Sequence, residues 1–93
     1  MHSQIAQFLR YLSVEKNASE LTIKSYREDL IDLADHLIDS LGGEVQASSI
    51  TPRDLRGYVA ALHEAGYAQS SIARKLASLR SFYRFAQRQK FCD

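Results

Sequence analysis

Six cations fall within the 21 residues from Ser70 to Lys90, namely Arg74, Lys75, Arg80, Arg84, Arg88 and Lys90, and no acid accompanies them. Ile72, Leu76, Leu79, Tyr83 and Ala86 recur among them at the three- and four-residue spacing of a helix with one apolar side. Guanidinium groups on the other side suit phosphate oxygens and the guanine edge, because their fork of donors matches paired acceptors and a helix fits a DNA major groove. A solvated helix usually mixes both signs, yet the 28 residues between Glu64 and Asp93 contain no acid. Ser71, Ser78 and Ser81 leave room among the cations for a close approach to a backbone.

Other chemistry finds little support. His2, His36 and His63 are scattered without the spacing of metal ligands, and neither a glycine-rich phosphate loop nor a nucleophile elbow is present. Of the five tyrosines, Tyr26 and Tyr83 lie on apolar stripes and read as core residues. No cofactor and no metal is expected.

Charge is segregated along the chain. Residues 1–50 hold four basic groups against eight acids, net −4, and residues 51–93 hold eight against three, net +5. Such asymmetry suits a polyanion-binding face. The 93 residues suffice for one small domain. The single cysteine, Cys92, leaves no internal disulfide, and no apolar run approaches the roughly 20 residues that cross a bilayer. The N-terminus lacks the layout of a signal peptide, so the expected location is cytoplasmic and away from membranes.

The elements that must position the cations are helices. Ile5, Phe8, Leu9 and Leu12 mark a first helix over 3–16, ending at Asn17. Ser19 is a good N-cap for a second, whose stripe runs Ile23, Tyr26, Leu30, Leu33, Leu37, Leu41 until Gly42 and Gly43 stop it. The loop GGEVQASS reads as a connection. Thr51-Pro52-Arg53-Asp54 starts a third helix, with Leu55, Val59 and Leu62 inward as far as Gly66, and Ser70 is expected to cap the basic fourth. The fold class is all-α, a four-helix bundle.

Read together, Thr22-x-x-x-Tyr26-x-x-Asp29-Leu30, Thr51-Pro52-x-Asp54-Leu55 and the block from Ser71 to Tyr83 resemble the N-terminal, SAM-like core-binding domain of the phage integrases, the tyrosine site-specific recombinases. That resemblance implies a SAM-like bundle forming half of a clamp on double-stranded DNA, with the second and fourth helices toward the major groove. It also implies that cleavage belongs to a separate C-terminal domain, so this chain is expected to be a non-catalytic fragment, monomeric alone, of a parent that assembles as a tetramer on DNA. Arg74 and Ser78 on the fourth helix and Lys24 and Arg27 on the second are the foremost DNA-contact candidates, with Lys75 and Ser71 behind them. Helical phase sets Arg74 and Ser78 opposite the apolar stripe. Arg80 beside that stripe reads equally as a structural partner for a carboxylate such as Asp29. Asp32, Asp35 and Asp39 would repel phosphate, limiting approach to the first half of the second helix. Two alternatives stay open: a helical protein-interaction module using Ile31, Ile38, Phe85 and Phe91 as exposed apolar residues, and a helix-turn-helix regulator.

Overall fold

The computed structural model describes residues 1–43 and 46–89, apart from the side chain of Leu41. Lys90, Phe91 and Cys92, named above, lie outside the described residues. Helix α1 spans His2–Val14, α2 Glu20–Leu41, α3 Pro52–Glu64 and α4 Gln69–Arg88. Among the described residues there is no strand, and no helix is long and apolar enough to cross a membrane.

Local chemistry explains most of the boundaries. After α1, Asn17 takes a left-handed φ of 50°, which its short polar side chain tolerates. The Ser19 hydroxyl accepts from the Thr22 N–H at 3.1 Å and opens α2, which closes at Gly42 with φ 80°. Thr51 and Asp54 form a reciprocal capping box: the Asp54 N–H donates to Thr51 Oγ1 at 3.2 Å, and the Thr51 N–H donates to Asp54 Oδ2 at 2.9 Å. At the end of α3, Gly66 sits at φ 86°, its N–H bonded to the His63 carbonyl while that of Tyr67 bonds to the Leu62 carbonyl. These two bonds are a Schellman closure. The tight exit brings the chain into α4 early, at Gln69 with Ala68 in the capping position and no side-chain cap, so Ser70 is a first-turn residue rather than the cap.

Met1 before α1, Ile5, Phe8 and Leu12 of α1, Leu30, Leu33, Ala34 and Leu37 of α2, and Tyr58 and Leu62 of α3 enclose one core around α4. Phe8 sits at its centre, with ring centroids 5.5 Å from Tyr26, 5.7 Å from Phe82 and 5.4 Å from Phe85. Helix α4 is packed by neighbours on more than one side and therefore buries a wider arc than a single stripe. Ile72, Lys75, Ser78, Leu79, Phe82, Phe85 and Ala86 are all buried. Phe85, expected on the surface, is a core residue, and Ile31 and Ile38 are half-buried, which removes much of the exposed apolar set invoked for an interaction module.

The α2–α3 connection is more than a polar link. Ala47–Ser49 form a 3-10 turn whose buried Ala47 is pinned on both sides. Its N–H donates to Gln4 Oε1 at 3.0 Å, and the Tyr83 hydroxyl donates to its carbonyl at 3.2 Å.

Candidate nucleic-acid interface

A carboxylate organises the meeting of α2 and α4. Asp29, in the third turn of α2, has a side chain only 1% exposed. Arg74 Nη2 donates to its Oδ1 at 3.0 Å, Lys75 Nζ lies 3.4 Å from the same oxygen, and Ser78 Oγ donates to Oδ2 at 2.9 Å. The three donors come from two successive turns of α4, so one acid reads the register between two helices. Lys75 also reaches Asp32 Oδ2 at 3.3 Å, and the Tyr58 hydroxyl of α3 donates to that oxygen at 2.7 Å. The network thus joins three helices. Two carboxylates face two cations, which offsets the cost of burying charge. Burial and the neighbouring Asp32 carboxylate push the Tyr58 phenol well above the usual tyrosine range.

This geometry redistributes the expected contacts. Arg74 is where helical phase puts it, on the surface with its side chain 58% exposed, but anchored at one nitrogen by Asp29. Ser78 does not face outward: it is 7% exposed and spent on Asp29, because α2 packs against that flank of α4. Lys75 is likewise buried, at 8%. Ser71 is half-buried in the first turn of α4. Arg74, rather than Arg80, is the arginine that meets Asp29, and Arg80 stands exposed on the α3 side beside Leu55 and Tyr83.

Above Asp29 runs a groove of about 350 Å³, floored by small residues of both helices (Thr22, Ser25, Ala77, Ser78) and rimmed by Arg74 and the exposed Leu21. Lys24 and Arg27 do not enter it. They line the opposite flank of α2 together with Arg10 of α1, and Lys24 Nζ lies 3.9 Å from Glu28, both side chains largely exposed. Cations therefore stand on both sides of the N-terminal half of α2, on the outer flank together with Glu20 and Glu28. Of the acids expected to repel phosphate, Asp32 is engaged by Lys75 and Tyr58, and Asp35 lies 3.6 Å from His2.

Arg84 and Arg88, which are not among the foremost contact candidates, extend the cationic surface. Arg74, Ala77, Ser81, Arg84 and Arg88 follow one another by three or four residues and share one face of α4. Tyr26 donates to Ser81 Oγ at 3.4 Å, joining α2 to that face, and Arg88 Nη2 donates to the Tyr11 hydroxyl of α1 at 2.8 Å. That bond holds the Tyr11 phenol below its ordinary range. The alternation of 3 and 4 was the available signal. Among the described residues no group of three or more His, Cys, Asp or Glu is placed to hold a metal ion.

Fold and surface together define a small all-helical domain that presents one cationic helix flank beside a second helix. The chain belongs to the family of the phage integrase N-terminal SAM-like domain, whose family model matches residues 5–90. It is 44% identical to the tyrosine recombinase XerC of Pelotomaculum thermopropionicum, over all of this chain and 31% of that protein. It is 39% identical to the tyrosine recombinase XerC of Oceanobacillus iheyensis, over 96% of this chain and 28% of that one, and 39% identical to that of Anoxybacillus flavithermus, over 89% and 27%. The chain therefore spans less than a third of the length of these relatives. No solved structure matches it.

Proposed function

We propose that these 93 residues are the core-binding domain of a tyrosine site-specific recombinase and hold double-stranded DNA at the recombination site through α2 and α4. The observation that carries this reading is the exposed arginine face of α4, free of acids along the helix, beside the N-terminal half of α2. Arg74 is the principal phosphate contact, supported by Lys24 and Arg27 from the far flank of α2 and by Ser71 at the start of α4, where the helix dipole also favours an anion. Lys75 and Ser78 serve the interface indirectly by holding Asp29, which fixes α4 against α2. Strand cleavage and rejoining are assigned to a region of the parent recombinase outside these residues. The domain alone is a monomer that grips DNA weakly and acts in the cytoplasm, and the parent assembles as a tetramer on its site.

Phosphate contacts set position and affinity more than sequence preference, so charge reversal is the direct test. Arg74→Glu should weaken binding to a duplex by about 1–3 kcal/mol, whereas Arg53→Glu on α3 should cost little. Equal losses from the two substitutions would remove α4 from the interface.

A further inference from the structure

The α4 face does not end at the groove above Asp29. Beyond Ser81 it opens into a second groove, of about 700 Å³, between the C-terminal halves of α1 and α4. Its walls are the aromatic rings of Phe8, Tyr11 and Tyr26, and its rim carries Lys16, Arg84 and Arg88. None of its lining residues is acidic. The Arg88 guanidinium both donates to the Tyr11 hydroxyl and lies over the Tyr11 ring, 5.1 Å from the centroid, and Lys16 Nζ stands 5.9 Å from the same centroid. A phenol that accepts from arginine still has its own proton to give, so Tyr11 can donate to an anion held by the cations around it.

We infer that this groove is a second backbone-phosphate site, in which Tyr11, Lys16, Arg84 and Arg88 take the same duplex onward from Arg74. The inference rests on the DNA-holding reading above and adds to it a contribution from α1. Continuity argues for one ligand: Tyr26 and Ser81 line the second groove, Tyr26 also lines the first, and the face from Arg74 to Arg88 is unbroken. Fourteen residues of helix rise about 21 Å, the length of about six base pairs along one strand. Phosphates at both ends of α4 are therefore within reach of one short duplex.

The test is the salt dependence of binding of the 93-residue chain to a 20-base-pair duplex of mixed sequence, read by fluorescence anisotropy. Each phosphate contact adds about 0.9 to the slope of log affinity against log salt. The pair Arg84→Gln with Arg88→Gln should lower that slope by about 2, and Tyr11→Phe, which keeps the ring and removes only the hydroxyl, should weaken binding by about two- to fivefold. The control pair Arg53→Gln with Arg56→Gln removes the same charge from α3 and should leave the slope unchanged. A slope unaltered by the α4 pair, or lowered equally by the α3 pair, overturns the second site and leaves the Arg74 interface standing. Capture of an acidic peptide at Arg84 and Arg88 with no change in the duplex slope would overturn it as well. Failure of the unsubstituted 93-residue chain to bind duplex at low salt would instead bring down the DNA-holding reading, and this site with it.

Discussion

Replacing Asp29 by Asn keeps the shape of the side chain and removes its charge, which isolates what the carboxylate does between α2 and α4. Three donors converge on a group with 1% exposure, at 2.9, 3.0 and 3.4 Å. Breaking a buried ion pair costs about 3–5 kcal/mol, because the partner charge is left without compensation. Two features reduce that figure here: Arg74 is more than half exposed and can turn to water, and Asp32 still accepts from Lys75 at 3.3 Å. The expected loss is about 2–4 kcal/mol, which for a domain of this size lowers the melting temperature by roughly 10–25 °C. Thermal and urea unfolding followed by circular dichroism measure it, with the urea slope unchanged if the native state stays compact. Asp35→Asn, at an exposed carboxylate 3.6 Å from His2, is the matched control and should cost no more than about 0.5 kcal/mol. A melting temperature for Asp29→Asn within about 3 °C of the parent, corresponding to less than 1 kcal/mol, would refute the claim that this acid joins the helices.

Other expectations concern α3. Tyr58 has a folded pKa raised above the unfolded value near 10, so its contribution is fully present below pH 10 and is lost as pH rises beyond that. Melting temperatures between pH 8 and 11 should fall toward the alkaline end, and Tyr58→Phe should flatten the decline while costing about 0.5–1.5 kcal/mol at neutral pH. Thr51→Ala, which opens the capping box, should destabilise by about 1 kcal/mol, a shift of about 4–8 °C in the melt, whereas Ser70→Ala should leave the melt nearly unchanged because Ser70 caps nothing.

The parts of the fold that were legible in the sequence are those fixed by neighbours in the chain. Ser19, the glycines at 42 and 66, and the Thr51–Asp54 pair act within a few residues of themselves, so their types and order suffice. The apolar stripe of α2 was legible for a related reason, since periodicity names the buried side of a helix once that helix has one inner face. Helix α4 has neighbours on more than one side, and its spacing marked only part of the buried arc. Ser78, Phe82 and Phe85, which widen that arc, therefore fall outside the stripe. The pairing of Asp29 with Arg74, Lys75 and Ser78 spans 45 to 49 residues of sequence and depends on how α2 and α4 pack, which no local pattern encodes. The site was legible as a cationic helix. That Arg74 faces solvent was legible from helical phase; that it and Lys75 hold Asp29 was not.

The central claim is that α2 and α4 together form the face that meets DNA. Titration of the isotopically labelled chain with a short duplex, followed by amide chemical shifts, tests it residue by residue. The largest shifts should fall over 22–28 on α2 and 71–81 on α4 and weaken as salt is raised, because phosphate contacts release counterions. Shifts concentrated around Arg53 and Arg56 on α3, with none over those two segments, would contradict it.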